Sequence, residues 1–219
     1  MNRSFAFFAL LALSFATDAL CGILTDSRDG QTYRTVKIGN QEWMAENLNY
    51  ETANSYCYED EASNCTKYGR LYATWAAAMD SVGTWSTNGR GCGYGSTCSP
   101  TGTVRGVCPE GWHLPTKAEF ETLFTAVGGQ STAGKMLKST SGWNSSGNGT
   151  DAFGFSALPV GLRYNLGDYY NEGRLAGFWS STEGDSSSAY GMGLGSDIDG
   201  AGLGDYYKDY GFSVRCVKD

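Results

Sequence analysis

Polar and apolar residues alternate along the segment "RDGQTYRTVKIGNQEWMAENL" at positions 28–48. In an extended chain, one side would carry Tyr33, Thr35 and Lys37, and the other side Arg34, Val36 and Ile38. This period of two predicts strands, and the Gly39-Asn40 pair predicts a turn where the alternation breaks. The segment is therefore predicted to form a β-hairpin.

Residues 68–82, "YGRLYATWAAAMDSV", repeat their apolar positions at helical spacing instead. The run of alanines from position 76 to position 78 strengthens the pattern, because alanine has the highest helix propensity. The segment is predicted to be a helix with one buried side, formed by Leu71, Trp75, Ala78 and Met79.

A second helix is predicted to start at Thr116, because Glu119 three residues later completes a capping box. The apolar residues of one helical face follow at Phe120, Leu123, Phe124 and Val127, and the Gly128-Gly129 pair ends the helix. His113, the only histidine, lies just before this helix and has no acidic or nucleophilic residue beside it in sequence. We expect it to be a packed or hydrogen-bonded structural residue.

The rest of the chain is predicted to be loops and short elements. Residues 83–107 lack periodicity and indicate a long loop, while "AGKMLKS" from Ala133 indicates a short helix. Short strands are then predicted in segments 153–161, 177–182, 189–195 and 211–218. Because helices precede a run of strands, the predicted fold class is α+β.

The chain begins with a basic polar lead, a short apolar run and a stretch of small residues, which is the pattern of a secretory signal peptide. We predict a signal peptide over residues 1–21, cleaved after Ala16, Ala19 or Cys21, and a single domain over residues 22–219. The apolar run is too short to span a bilayer and no second long one follows, so no transmembrane segment is expected. The protein is expected to be secreted or displayed on the cell surface.

Composition supports a loop-rich exported domain. Glycine accounts for 31 of 219 residues, charged residues for only 18%, and the net charge is -7. Because nucleic acids and anionic membrane surfaces attract basic proteins, this negative charge argues against both as partners.

Seven cysteines in an exported chain indicate disulfides, because an oxidising compartment converts paired thiols into cross-links. Several connectivities are open, and a preference for local partners favours Cys57–Cys65, Cys92–Cys98 and Cys108–Cys216. Cys21 is the odd one, and cleavage after it would leave six. A zinc site is the alternative, but the chain has no C-x-x-C spacing and one histidine, so no metal site is predicted.

Five phrases of the sequence resemble one protein family, in the family's order, from about residue 25 to the C-terminus. They are "DGQTYRTVKIGNQEWMAENLNY", "YGRLYATWAAAM", "CPEGWHLPTKAEFETL", "GFWSST" and "GFSVRCVKD". By these phrases the chain is similar to the Fibrobacter succinogenes major paralogous domain. That family is found mostly on exported bacterial proteins, many of them at the cell surface.

The "WHLPT" and "WSST … VRCV" phrases are also similar to the C-type-lectin-like fold of bacterial adhesins, phage receptor-binding proteins and formylglycine-generating enzymes. This resemblance implies two main helices that flank a small twisted antiparallel sheet, with long disulfide-pinned loops above it. It also implies that the Cys108–Cys216 bond ties the start of the second helix to the last strand.

The sequence departs from the lectins and enzymes of that fold. Calcium-dependent lectins carry Glu-Pro-Asn or Gln-Pro-Asp and a later Trp-Asn-Asp, whereas "Trp143-Asn144-Ser145" lacks the acid. The aspartates 197, 199, 205 and 209 offer oxygen ligands for calcium, but a solvated acidic face is the favoured interpretation, and no cofactor is predicted. The enzymes need reactive cysteines or a histidine set, which this chain does not supply.

Two tyrosine-rich segments are the candidate binding regions: residues 163–173, "RYNLGDYYNEG", and residues 197–211, "DIDGAGLGDYYKDYG". A tyrosine offers a flat apolar face to a sugar ring, and nearby amides and acids bind hydroxyls. Two tryptophans in polar loops, Trp85 and Trp143, are candidates for exposed contact. The candidate ligand-binding residues are Trp143, Asn144, Asp168, Tyr169, Tyr170, Asn171, Tyr206 and Tyr207; packing at a sheet edge is the alternative for the tyrosines.

We therefore predict a non-enzymatic ligand-binding or adhesion domain that recognises extracellular polysaccharide or a surface protein, with no catalytic residues. One alternative is a formylglycine-generating-like or hydrolytic enzyme, which would need free thiols or a metal. Another is a passive structural protein of the cell envelope, without affinity for small ligands.

Overall fold

A computed structural model describes residues 21–80 and 91–219 of the chain, which combine a few short helices with small antiparallel sheets. The strands are β1 Cys21–Thr25, β2 Thr32–Ile38, β3 Gln41–Met44, β4 Ser55–Tyr56, β5 Leu71–Tyr72, β6 Trp112–His113, β7 Leu162–Arg163, β8 Tyr169–Tyr170, β9 Leu175–Glu183, β10 Ser188–Gly195, β11 Ala201–Tyr207 and β12 Val217–Lys218. The helices are α1 Ala62–Tyr68, α2 Trp75–Met79, α3 Lys117–Ala126 and α4 Gln130–Leu137, with a 3-10 turn at Tyr58–Asp60. The predicted mixture of helices and antiparallel strands is confirmed.

Two predictions concern residues outside this description. Apart from Cys21, the predicted signal peptide lies in residues 1–20, and Trp85 lies in residues 81–90. Cys21 opens β1, where it is exposed, carries a free thiol and pairs in register with Val36 of β2. Within residues 21–80 and 91–219, no helix has the length and apolarity needed to cross a membrane.

Two antiparallel sheets organise the fold. One has the strand order β1-β2-β3-β12-β6, and the other has the order β11-β10-β9. The predicted hairpin is confirmed, since β2 and β3 pair with Val36 opposite Trp43. Val217 of β12 then pairs with both Trp43 and His113, so the last residues of the chain form an inner strand of the larger sheet.

The five-stranded sheet has a hydrophobic core on each side. In β3, Trp43 belongs to one core and Met44 to the other, and Val217 and Cys216 divide in the same way. Neighbouring residues are therefore buried on opposite faces. This double burial explains why Tyr33 of β2 is as inaccessible as the aliphatic residues that alternate with it.

The helix predicted over residues 68–82 is wrong. Helix α1 ends before Gly69, whose φ of 74° lies in the left-handed region that favours glycine. Strand β5 follows and pairs with β4, and Thr74 then caps the five-residue helix α2. Leu71 and Trp75 are both fully buried, but they belong to different core clusters, so they do not share one helical face.

The helix predicted to start at Thr116 is confirmed as α3. The Oγ1 atom of Thr116 accepts from the backbone N–H of Glu119 at 3.2 Å, and the Glu119 carboxylate accepts from the backbone N–H of Thr116 at 2.7 Å. Gly128 and Gly129 follow α3 with φ angles of 103° and 102°. Helix α4 starts at Gln130 and packs against α3, and both helices also contact β11 of the three-stranded sheet.

The late strands are only partly as predicted. Strands β9 and β10 coincide with the predicted segments 177–182 and 189–195. Segment 153–161 forms only isolated bridges, at Ala157 and Gly161, and the φ of 53° at Ser156 interrupts an extended conformation. In segment 211–218, a strand forms only at Val217–Lys218.

Strand β11 forms where the sequence analysis predicted a loop. Ala201 and Leu203 pack on the core shared with β10, and these two residues alternate with Gly202 and Gly204. Because glycine is rare in strand interiors, the sequence pattern indicated a loop. The inward residues nevertheless hold the strand in register.

All three predicted disulfides are confirmed: Cys57–Cys65, Cys92–Cys98 and Cys108–Cys216. The first two bridge eight and six positions, whereas the third joins residues 108 positions apart. The third bond links the segment before α3 to the segment before β12. It therefore fastens the end of the chain to its middle, as the resemblance implied.

Candidate ligand-binding surface

Most of the exposed large hydrophobic side chains in the described residues lie in three segments that meet on one surface. Two of the seven, Ile23 and Ile198, lie elsewhere, and the other five are Tyr94, Tyr164, Leu166, Tyr170 and Tyr207. Exposed aromatic and aliphatic groups cost solubility when they cluster without a partner, so such a patch is typical of an interaction site.

Five tyrosine rings follow one another across this surface, and the set Tyr94, Tyr207, Tyr210, Tyr164 and Tyr170, in that order, is termed the tyrosine strip. Consecutive ring centroids are 6.1, 5.6, 5.0 and 6.0 Å apart. Most of the contacts are edge-to-face, the arrangement that the ring quadrupole favours. Four of the rings are 36 to 57% exposed, and Tyr210 lies lower, against Phe212 of the core.

The two tyrosine-rich segments of the sequence form adjoining parts of the strip. Arg163 and Gly211 exchange backbone hydrogen bonds of 3.0 and 2.7 Å. One residue further on, the ring of Tyr164 packs against that of Tyr210 at an interplanar angle of 40°, and the Asn165 amide donates to Asp209 Oδ2 at 3.1 Å. The backbone pairing therefore fixes the spacing of rings that lie far apart in sequence.

Tyr94, at one end of the strip, lies in the loop closed by the Cys92–Cys98 disulfide. A buried ion pair holds this loop, because Lys208 Nζ donates to the backbone oxygen of Ser96 at 2.7 Å and to Glu183 at 2.5 Å. The Glu183 carboxylate also accepts from the backbone N–H groups of Cys98 and Ser99. Tyr94 is therefore positioned by the fold and by a covalent bond.

The pKa shifts keep Tyr210, at the centre of the strip, neutral and keep Glu183, in the ion pair beneath Tyr94, charged. Burial, followed by the hydrogen bond with Tyr164, raises the pKa of Tyr210 to about 12. Burial acts to raise the pKa of Glu183, but hydrogen bonds from Lys208 and two backbone N–H groups bring that pKa below its ordinary value. The strip therefore presents uncharged rings over a fixed ion pair.

Two of the predicted tyrosines, Tyr170 and Tyr207, belong to the strip, and two others do not. Tyr169 turns away, and its hydroxyl donates to Asp60 Oδ1 at 2.6 Å. Tyr206 lies on the other face of β11, where its ring packs against Phe212 at 4.9 Å. For both of these, the structure has the packed arrangement that the sequence analysis left as the alternative.

The polar candidates lie around the turns of the same region. The backbone oxygen of Asp168 accepts from the Tyr164 N–H at 2.7 Å, which closes the turn between β7 and β8, and its side chain is exposed. Asn171 is exposed with a φ of 68° directly after β8. Asp168 therefore neighbours the strip through its turn, and Asn171 through Tyr170.

The predicted exposure of Trp143 is wrong. This side chain is only 5% exposed, and its indole N–H donates to Ser139 Oγ and to the backbone oxygen of Ala157 at 3.1 and 3.2 Å. A polar loop surrounds it in sequence, but the ring fills the core. Asn144 is exposed, and its backbone N–H donates to Gly173 at 2.7 Å.

The sequence analysis missed three members of the strip, namely Tyr94, Tyr164 and Tyr210. Tyr164 and Tyr210 fall inside the two quoted segments but are single tyrosines, and the analysis selected the Tyr-Tyr pairs. Tyr94 had a weaker signal, a lone aromatic residue in a glycine-rich disulfide loop. The structure also places Leu166, 83% exposed, at the tip of the turn between β7 and β8.

His113 is buried between two carboxylates, and the hydrogen-bonded structural environment expected for it is confirmed. Its Nδ1 atom lies 2.7 Å from Asp219 Oδ1, and its Nε2 atom lies 2.8 Å from Glu119 Oε1. Burial acts to lower its pKa, but the hydrogen bonds to Glu119 and Asp219 outweigh burial and raise it. In the ranges that the structure covers, no group of three or more His, Cys, Asp or Glu residues is arranged to hold a metal ion.

Comparison with known proteins places these features in a family. Residues 36–218 match the family model described as the Fibrobacter succinogenes major domain. No curated protein and no solved structure matches the chain significantly. The matched range includes the six disulfide cysteines, His113 and the whole tyrosine strip. Because the match covers most of its length, the chain belongs to the Fibrobacter succinogenes major domain family.

Proposed function

We propose that this protein is an exported binding domain of C-type-lectin-like fold that holds an extracellular polymer, above all a polysaccharide, on the tyrosine strip without chemical turnover. The observation that carries the proposal is the meeting of five tyrosine rings on one exposed surface. Three disulfides support export, because such bonds persist in oxidising compartments.

The shape of the strip favours a linear ligand. Its rings are arranged in sequence along one path, so several units of one extended chain would each meet an aromatic face. Asn165 and Asp209 lie beside the central rings and offer polar groups to hydroxyls. A surface of this kind, aromatic and uncharged, suits the apolar faces and equatorial hydroxyls of sugars better than it suits a charged partner.

Rigidity supports a binding role as well. The Cys92–Cys98 bond and the Lys208–Glu183 pair hold one end of the strip, and the pairing of Arg163 with Gly211 holds its centre. Side chains that are ordered before the ligand arrives lose little conformational entropy on binding. The fold therefore presents the rings in place.

Binding isotherms on insoluble cellulose and xylan test the proposal. We expect Tyr164→Ala and Tyr207→Ala each to weaken binding about tenfold, because tyrosines at the centre of an interface contribute on the order of 1 to 2 kcal/mol. Tyr207→Phe should keep most of the affinity, because it keeps the ring. The matched control is Ile198→Ala, which truncates an exposed side chain in the turn at the opposite end of β11.

Two results would overturn the proposal. One is the absence of binding by the intact protein to these polysaccharides and to a glycan array. The other is binding that Tyr164→Ala and Tyr207→Ala reduce no more than Ile198→Ala does.

A further inference from the structure

Arg215 is a cation buried in the core with no carboxylate in contact. It is 1% exposed, and its guanidinium donates to Asn47 Oδ1 at 2.8 Å and to the backbone oxygens of Phe155 and Ser156. The rings of Phe155 and Phe178 cover it, with the guanidinium carbon 4.4 and 5.4 Å from their centroids. A buried charge without a counter-charge is costly to the folded state, so this arrangement needs an explanation.

The charge of Arg215 is poorly compensated. Burial, only partly offset by the more distant charges of Asp151 and Glu46, lowers the pKa of Arg215 to about 9. Three of the five N–H groups of a guanidinium are accounted for by the acceptors above, and the described residues provide no acceptor for the other two.

Arg215 lines a cavity of about 260 Å³ that also contacts β2, the segment after β3 and α1. The cationic residues in its wall are Arg215, Arg34 and Lys67, and the one acid is Glu46. Glu46 is already engaged, since it accepts from the backbone N–H of Arg34 at 2.7 Å and from its side chain at 3.4 Å. Lys67 Nζ lies 3.7 Å from Glu172 Oε1, outside the wall, so Arg215 is the cation of the wall that contacts no carboxylate. The wall is therefore more cationic than the protein as a whole, which carries a net charge of -7.

Uncharged polar groups complete the wall. Asn47, Asn49, Gln31 and Thr66 line the cavity, and the buried Oδ1 atom of Asn49 has no hydrogen-bond donor among the described residues. Amide groups and a threonine hydroxyl match the hydroxyls of a small ligand. The wall thus combines charged donors with uncharged donors and acceptors, the combination that selects a hydroxylated acid.

We propose that this cavity is a second binding site, which takes a small hydroxylated carboxylate, a single sugar acid, with its carboxylate against the Arg215 guanidinium. The planar fork of arginine matches a carboxylate through paired hydrogen bonds. A cavity of this size, below the usual range for larger ligands, suits one sugar unit instead of a chain. No residue of the tyrosine strip lines it, so the two sites are separate.

Titration calorimetry of the intact oxidised protein tests this site with D-galacturonate, D-galactose and inorganic sulfate. We expect galacturonate to bind at least about tenfold more tightly than galactose, because one hydrogen-bonded charge pair contributes on the order of 1.5 kcal/mol or more. Sulfate should bind more weakly than galacturonate, because it cannot use the amide wall. Equal affinity for galacturonate and galactose, equal affinity for galacturonate and sulfate, or no binding of galacturonate would overturn the proposal.

Variants assign the binding to the cavity. Arg215→Lys keeps the charge but loses the fork, and we expect about a tenfold loss of galacturonate affinity. If that variant does not fold, Lys67→Gln provides the test: its side chain is 59% exposed at the rim, and its loss should weaken binding about threefold. The control Lys117→Gln removes an equal charge from α3, outside the cavity. An unchanged affinity in Lys67→Gln and Arg215→Lys would contradict the assignment.

The same experiment separates this site from the tyrosine strip. Tyr207→Ala should leave galacturonate affinity unchanged, and Lys67→Gln should leave binding to cellulose and xylan unchanged. Galacturonate binding that Tyr207→Ala abolishes would place the ligand on the strip and overturn the second site. A failure of polysaccharide binding alone would leave the cavity result standing.

Discussion

The tyrosine strip and the Arg215 cavity are opposite kinds of surface on one scaffold. The strip exposes four of its tyrosines by 36 to 57%, and it carries no formal charge of its own. The cavity is concave, and its lining includes Arg215, a fully buried cation. Their difference indicates that a ligand held by stacking and a ligand held by charge would be recognised independently.

Removal of a disulfide should have the largest effect on the protein, and the two sites should respond differently to it. Replacing Cys108 and Cys216 by alanine should lower the free energy of unfolding by about 4 kcal/mol, because the bond closes a loop of 108 positions. The pair Cys92 and Cys98 closes only six positions, and its removal should cost about 2 kcal/mol. Urea unfolding of the two double variants measures the difference.

Ligand binding also distinguishes the two double variants, because each disulfide lies near a different site. Loss of the Cys92–Cys98 bond releases Tyr94, so polysaccharide affinity should fall while galacturonate affinity stays. Loss of the Cys108–Cys216 bond disturbs the residue beside Arg215, so galacturonate affinity should fall in the protein that remains folded. Polysaccharide binding equal to that of the intact protein in the Cys92/Cys98 variant would show that Tyr94 is not part of the contact.

Breaking the ion pair beneath the strip should have the next largest effect. Lys208→Met leaves Glu183 buried without its partner, which should cost about 3 kcal/mol of stability. The double variant Lys208→Met with Glu183→Gln should recover part of this loss, because no charge is then left unpaired. Thermal unfolding of the wild type and the two variants checks the order, and a Lys208→Met variant as stable as the wild type would contradict it.

The sequence predicted the parts of the fold in which local pattern and tertiary packing agree. The capping box at Thr116 and Glu119 is such a case, because both partners are within one helical turn. The helix over residues 68–82 failed because Gly69 ends α1 and the chain then joins a sheet partner. Strand β11 was missed because Gly202 and Gly204 alternate with the inward residues Ala201 and Leu203.

The two candidate sites differ in how far the sequence predicts them. Tyr170 and Tyr207 were selected because aromatic pairs with polar neighbours stand out locally, but their arrangement in one strip depends on the pairing of Arg163 with Gly211. Trp143 was assigned to the surface because its neighbours are polar, whereas its ring packs in the core. The cavity had no local signal at all, since its residues come from positions 31 to 215.

The smallest effect should come from pH, which should change the stability of the fold through His113 and Glu119 and leave the tyrosine strip unaffected. Hydrogen bonds to Glu119 and Asp219 raise the pKa of His113 despite its burial, so the stabilisation is present below about pH 6.5 and is lost as pH rises through the folded-state pKa. Burial acts to raise the pKa of Glu119, but the His113 contact and the Thr116 N–H lower it. The stabilisation from Glu119 is therefore present above about pH 4.5 and is lost as pH falls through its folded-state pKa.

Stability should therefore be greatest between about pH 4.5 and pH 6.5, as measured by urea unfolding across the pH range. His113→Gln should cost about 1 kcal/mol within that window and remove the decline on its alkaline side, because the glutamine does not titrate. Polysaccharide affinity should stay constant over the same range, since Tyr210 keeps its proton up to a pKa of about 12. A decline in stability at alkaline pH that persists in His113→Gln would show that another group controls it. If polysaccharide affinity declined over the same pH range, that group would act on the tyrosine strip as well.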